Sequence, residues 1–331
     1  MARNQSSLVF HDGMAIGYAA VFAILSIGIG LALGGVHLTA DRLWQALWHK
    51  GSIEDVLIFW KIRFPRVASA FVCGSLLSIS GALLQVLLCN PLADPYLLGV
   101  SGGASTAVLL LMLFGLPVWL IRPGAVVGAF VSIGLVLIVS FRTGGWRSDR
   151  LLLTGVALSA GFGAIISLVL VLAPSTSVKG MLFWLMGDLS QAGMPSWAFL
   201  VLIITIIASM WLSPVLNLLL LGDAKAATLG IAVWPTKLAI FLIASIATAA
   251  AVTQAGAIGF VGLIVPHVLR LLDISDYRRL LPLATLVGGG FLCLTDTLAR
   301  VMFLPSELPV GVVTALIGVP LFLVLLARNP A

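Results

Sequence analysis

Long apolar runs separated by short polar turns dominate this 331-residue chain. Leu151–Leu172 and Val201–Leu212 are nearly unbroken aliphatic stretches. A transmembrane β-strand would alternate apolar and polar positions over about ten residues, and these runs do not. A helix needs about 20 apolar residues to cross the hydrocarbon core. The pattern predicts spans at 14–36, 64–88, 96–115, 124–141, 150–172, 194–213, 234–254, 257–272, 280–300 and 308–327. The reading is an all-α integral membrane protein with about ten transmembrane helices. The piece 257–272 is short and holds Pro266, so it counts only if broken helices are allowed.

Two stretches predict interrupted backbone. One is Asn90-Pro91-Leu92-Ala93-Asp94-Pro95 with Gly99, Gly102 and Gly103 after it; the other is Gly256–Gly262, followed by Pro266 and His267. Proline and glycine at this density break the helical hydrogen-bond ladder. Such backbone survives at membrane depth only where protein or a water-filled cavity covers it. Small residues recur every fourth position at Gly155, Ser159 and Gly163, at Ala244 and Thr248, and at Ala247 and Ala251. Such faces let helix backbones approach closely, and some could line a pathway.

Composition agrees with lipid as the main solvent. Hydrophobic residues make up 61% of the chain and charged residues 9%, with a mean hydropathy of +1.18. A soluble domain carries roughly 25% charged residues. The net charge of +6 does not point to nucleic acid, because the Lys and Arg residues are scattered among short loops. With the N-terminus inside, ten basic residues fall inside and eight outside, a weak positive-inside bias. Five of those eight, Arg42, Lys50, Lys61, Arg63 and Arg66, lie close together. The run 14–36 is too long for a signal-peptide core and reads as a retained span.

Catalytic and energy-coupling motifs are missing. There is no Gly-Lys-Ser or Gly-Lys-Thr to cradle a nucleotide. No His-Glu-x-x-His or Gly-x-Ser-x-Gly occurs. The histidines are dispersed, and Cys73, Cys89 and Cys293 lack metal-ligand spacing and read as small buried hydrophobes. Asp296 is the main acid inside a span, and Arg300 lies at i+4 to pair with it. The chain reads as a conduit, with no cofactor or metal of its own, that needs another subunit for energy. One stretch looks water-facing. Leu216–Ala232 places Asp223–Thr228 as a short polar helical turn ended by Gly230, a shape suited to docking in a partner's groove.

Several long blocks resemble one family in order. They include RFPRVASAFVCGSLLSISGALLQVLLCNPLADPYLLGVSGGAS from Arg63, RLLLTGVALSA from Arg150 and LFWLMGDLS from Leu182. The C-terminal blocks are GAIGFVGLIVPHVLRLL from Gly256, RRLLPLATLVGG from Arg278 and DTLARVMFLPSELPVGVVTALIGVP from Asp296. The chain resembles the permease subunits of type II ATP-binding-cassette importers for cobalamin, ferric siderophores and haem, the FecCD family. The resemblance implies one permease domain over 1–331 in a bacterial inner membrane, with both termini cytoplasmic. It implies a second copy, two ATP-binding subunits and a periplasmic or lipoprotein substrate-binding protein as partners. It implies that ATP binds the partner subunit and not this chain.

Residue roles follow from the same resemblance. Arg63, Arg66 and Arg300 match the family's outer arginines, which receive carboxylates of the binding protein; a guanidinium grips a carboxylate at two points. Asp223, Ala227 and Gly230 match the paired coupling helices that seat in the ATPase. The fifth span, with Thr154, Ser159, Gly163 and Ser167, is expected to line a central path between two copies. The cytoplasmic gate of the family falls at Ser148 and Asp149, where Ser148 matches in character and Asp149 departs. The competing classes are an ion-gradient-driven secondary transporter, which needs more buried acids, a membrane-embedded enzyme, which needs a catalytic cluster, and a membrane anchor.

Overall fold

A computed structural model describes residues 5–36, 38–141 and 148–328. Its helices are α1 (Gln5–Ala32), α2 (Ala40–Leu47), α3 (Ile53–Leu57), α4 (Phe64–Leu87), α5 (Val100–Leu113), α6 (Ile121–Phe141) and α7 (Ser148–Leu172). They continue with α8 (Ser175–Leu185), α9 (Ser196–Leu219), α10 (Asp223–Thr228), α11 (Val233–Ala255), α12 (Val261–Leu271), α13 (Tyr277–Val301) and α14 (Val310–Arg328). A π-helical turn, Ile58–Arg63, joins α3 to α4, and a short 3-10 turn, Pro95–Leu98, precedes α5. Among the described residues there is no strand. Seven helical stretches are long and apolar enough to cross a membrane; α5, α12 and the described apolar part of α14 are shorter.

The axle of the bundle is α4. Every residue from Val72 to Leu88 is buried. Helices α13, α11, α12 and α9 pack around it, and α1 packs on α13. Apolar burial cannot drive this association in lipid, so backbone proximity must. The small residues of α4 supply it. A Cβ on Gly81 would stand 1.8 Å from the Gly262 carbonyl oxygen of α12, and one on Gly74 would stand 2.2 Å from that of Gly288 on α13. Hydroxyls add to the same seams. Ser80 Oγ donates to the Ala244 carbonyl at 2.8 Å and lies 2.7 Å from Thr248 Oγ1, while Ser75 Oγ reaches the Thr285 carbonyl at 2.8 Å. The expected small face at Ala244 and Thr248 on α11 is therefore the α4 seam. Helices α5 and α6 close the same way, with Gly103 and Gly128 facing each other's carbonyls.

Both expected breaks are present, and they meet. Gly99 (φ +73°) ends the 3-10 turn in the left-handed region, and Gly256 (φ +72°) ends α11. A side chain at either position would be strained. The Tyr96 hydroxyl accepts from the Ile258 backbone N–H at 2.8 Å, and the Asp94 carboxylate accepts from the Tyr96 N–H at 2.8 Å. The freed backbone groups of one break are thus satisfied partly by the other. Cys73 and Cys293 are buried as expected, but Cys89 is exposed in the turn that follows α4, so the reading of three buried cysteines fails there.

Candidate functional site

Polar chemistry concentrates at the two ends of the bundle. At one end, Arg63, Arg66, Asp296, Arg300 and Glu307 form a cluster. The π turn delivers Arg63 to the last turn of α1, whose final carbonyls have no helical partners. Arg63 Nη1 donates to the Leu31 and Ala32 carbonyls at 2.7 and 2.8 Å, and its Nη2 donates to the Val36 carbonyl. Arg300 adds bonds from Nη2 to the Gly30 carbonyl at 3.1 Å and from Nη1 to the Leu33 carbonyl at 3.3 Å. Two arginines therefore cap α1, where cations also suit the negative end of the helix dipole.

Asp296 ties the cluster together. Arg66 Nε lies 3.0 Å from Asp296 Oδ1, and Arg300 Nε lies 3.0 Å from Asp296 Oδ2. Arg66 Nη1 reaches Glu307 Oε2 at 2.7 Å. The i+4 pairing of Asp296 with Arg300 is as expected; the cross-bundle pairing with Arg66 is not visible in the sequence. Arg63, Arg66 and Arg300 are 3%, 6% and 4% exposed, engaged by partners within the chain. They point inward because orphan carbonyls and a buried carboxylate hold them there. Glu307, between α13 and α14, is the more open member, with its side chain 41% exposed.

The other end carries α10. Asp223, Ala227 and Gly230 are all exposed, as are Leu220, Leu221 and Leu229, while Ala226 anchors the helix inward. Gly230 (φ +85°) turns the chain back, and its missing Cβ would meet nothing within 4 Å. The segment holds one short helix, not the expected pair: Leu216–Leu219 finish α9, and α11 starts at Val233. Asp223 is pinned by Lys237 Nζ of α11 at 2.5 Å. Lys237 is 2% exposed and was missed by sequence reading as a partner. A lone lysine within a predicted span was the available signal.

A polar chain leads from the end of α9 into the bundle. Asn217, near the end of α9, donates to Asp276 Oδ1 at 2.7 Å and accepts from the Tyr277 N–H at 2.9 Å. Asp276 caps α13, accepting from the Arg278 N–H at 2.9 Å. Partial burial pushes the Asp276 carboxyl up. The Arg278 and Asn217 hydrogen bonds and the nearby Arg278 and Arg279 charges outweigh that and hold it below the ordinary value. The Tyr277 hydroxyl donates to the Ala82 carbonyl of α4 at 3.1 Å and accepts from Arg270 of α12 at 2.9 Å. Arg270 also reaches Gln85 on α4, which contacts the Ala93 and Leu263 carbonyls at the breaks.

Helix α7 is the open flank. Among its described residues only Leu151, Gly155 and Val169 are buried. Gly155 abuts the Leu97 carbonyl, so it serves packing. Ser159, Gly163 and Ser167 follow one ridge, and Ser167 Oγ donates to the Gly163 carbonyl at 2.9 Å. Thr154 precedes Ser159 by five residues, about 140° away around the helix, so the four expected path residues do not share one face. Ser148 starts α7 and Asp149 is exposed in its first turn; the side chain of Ser148 and all of Arg147 lie outside the described residues. A groove of about 620 Å³ runs beside α14, lined by Met186, Ala257, Phe260, Gly311 and Ala315 among others.

This architecture has known counterparts. The model of the FecCD transport family matches residues 21–328. The chain belongs to the FecCD transport family. A hemin transport system permease protein, HmuU of Yersinia pestis, is 38% identical over 318 residues, covering 92% of this chain and 94% of the relative. A vitamin B12 import system permease protein, BtuC of Photorhabdus laumondii, is 38% identical over 293 residues, covering 86% of each. A solved structure of an inward-facing metal-chelate type ABC transporter superposes with a TM-score of 0.82 at 30% identity, covering 96% of this chain and all of that one. The FecCD permease fold agrees with these findings; among the described residues seven helices are of spanning length, and α5, α12 and the described part of α14 are shorter apolar helices.

Proposed function

We infer that this chain is the membrane permease subunit of an ATP-binding-cassette importer for a bulky metal chelate or corrin. The cargo class is an iron chelate, such as a ferric siderophore or haem, or cobalamin. The family match over residues 21–328 carries this reading, supported by the hemin and vitamin B12 permeases among its relatives. The permease works as two copies on two ATP-binding subunits in a bacterial inner membrane. A binding protein delivers cargo at the arginine end, and the ATPase engages the α10 end. The open, apolar arc of α7 faces the second copy across the path, and the Ser159–Gly163–Ser167 ridge with Thr154 borders it. Ser148 and Asp149 stand at the inner mouth. Few charges line this wall, which suits weak binding and release.

The ion-gradient alternative loses its main candidate acid, because Asp296 is held between two guanidiniums. Both of its carboxylate oxygens are engaged by cations of α4 and α13, an arrangement that braces helix ends and leaves no lone carboxylate in that span to relay protons. Arg63, Arg66 and Arg300 remain the proposed docking residues, acting through the surface they brace and through the open edge at Glu307.

Coupling through α10 is tested at Gly230. Valine there is β-branched at a positive φ, a strained combination, yet the position is exposed and uncrowded. Gly230→Val should fold, keep ATP hydrolysis by the assembled complex and lose most cargo uptake into proteoliposomes. Uptake equal to the parent would remove this turn from the coupling path.

A further inference from the structure

The segment between α1 and α4 forms a small cap that the transport reading does not use. Helix α2 packs mainly against α3 and the π turn. Ala46 is buried there, Trp60 Nε1 donates to the Ala46 carbonyl at 3.2 Å, and Arg42 Nε and Nη2 grip the Asp55 carboxylate at 2.9 and 2.8 Å. The rest of its apolar side is turned away from the protein. Trp44 and Trp48 are 62% and 59% exposed and meet edge to face at 5.8 Å. Leu47 is exposed beside them. At about 100° per residue, Leu43, Leu47, Ala40, Trp44 and Trp48 fill an arc of about 140°, opposite Asp41, Gln45 and Arg42. An eight-residue helix with its apolar arc outward needs a second apolar phase to cover it.

The level of this helix identifies the phase. Arg63 marks the end of α1, since it binds the carbonyls of the last turn. Trp60, which holds Ala46, lies three residues earlier in the π turn, further out by less than the roughly 4.5 Å that three α-helical residues would span. The headgroup region extends roughly 5–8 Å beyond the hydrocarbon core on each side. Tryptophan is enriched at that depth because its ring is apolar and its N–H is polar. Lys50 and Lys61 are exposed nearby, which complements lipid phosphates. The chain also enters this segment from the exposed apolar residues Ile29, Leu33 and Val36.

We propose that α2 is an interfacial anchor, lying in the headgroup layer of the leaflet at the arginine end with Trp44, Leu47 and Trp48 inserted among phospholipids. It holds the outer end of α4, and with it Arg63 and Arg66, at a fixed depth. This surface is lipid-facing.

The test uses the full chain in phosphatidylcholine nanodiscs, compared with a Trp44→Phe, Trp48→Phe double variant, so that subtraction isolates the two indoles. Lipids brominated near the headgroup should quench that difference emission about twofold or more, above lipids brominated near the chain ends, and aqueous iodide should quench it weakly. Emission insensitive to both brominated lipids and open to iodide would overturn the proposal. Shielding that depends on protein concentration and not on brominated lipid would also overturn it, because it would assign the face to another copy. A second probe avoids dependence on the double variant. Bimane on Leu47→Cys, in a Cys89→Ser background, should give lipid-like blue emission; a water-like spectrum contradicts the anchor.

Discussion

Replacing Asp296 by alanine should destabilise the folded chain by about 3–5 kcal/mol, the range seen when one member of a buried ion cluster is removed. Three guanidiniums share this pocket with two carboxylates, and Asp296 is the one completely enclosed. Its removal leaves Arg66 with only the half-exposed Glu307 and leaves Arg300 with backbone carbonyls and the Thr297 hydroxyl, all uncharged. The two cations then face each other in a medium that solvates them poorly. Asp296→Asn keeps an acceptor but loses the charge, so it should fall between the parent and the alanine variant. Thermal unfolding of purified protein in one detergent gives the order directly. A cost for alanine within about 0.5 kcal/mol, the range of an ordinary surface substitution, would mean that the cluster does not brace the ends of α1, α4 and α13.

The same cluster changes how the outer arginines must be tested. Charge reversal of Arg63 and Arg66 would remove one of the two caps of α1 and leave Asp296 and Glu307 beside a new carboxylate. A loss of partner binding would then report unfolding first. Substitution at Glu307, which is partly exposed, perturbs the edge of the cluster with less damage to its centre.

A larger side chain on Gly81 should be still more disruptive. The nearest obstacle to a Cβ there is backbone of α12, at 1.8 Å from the Gly262 oxygen and 2.5 Å from its carbon. A flexible side chain can move aside, but a helix backbone moves only with its whole element. Overpacking costs typically about 1–3 kcal/mol and more where nothing yields. Gly81→Leu should therefore abolish recovery of monodisperse protein, and Gly81→Ala should lower it markedly. Gly134→Ala is the control, since nothing lies within 4 Å of its missing Cβ. Equal recovery of Gly81→Leu and the control, by size-exclusion chromatography, would show that α4 and α12 do not pack as described.

What the sequence revealed depended on how local each signal was. Long spans were legible because lipid imposes a length and an apolar composition on every crossing helix. The two breaks were legible because Pro95, Gly99 and Gly256 act on the backbone at their own positions. Asp223–Thr228 was legible as a polar island between apolar runs. Helices α2, α3 and α8 left no comparable mark, being short and flanked by turns, and hydropathy over a long window averages them away. Side-chain direction was the other failure. Arg66 and Asp296 are 230 positions apart, so no spacing rule connects them. The three arginines were singled out only by resemblance to docking residues, and that resemblance carries no information on the α1 carbonyls and the Asp296 carboxylate that hold them. Thr154 was grouped with Ser159 by composition, and helix periodicity separates them.

We propose that this permease moves cargo only when driven by an attached ATPase. Its most direct test is concentrative uptake of a radiolabelled iron chelate or cobalamin into sealed proteoliposomes. A subunit with no energy source of its own predicts no accumulation by the chain alone under any proton or sodium gradient. Accumulation should begin when the ATP-binding subunits, the loaded binding protein and hydrolysable ATP are all present. Accumulation above the external concentration by the chain alone, driven by an ion gradient, would contradict it.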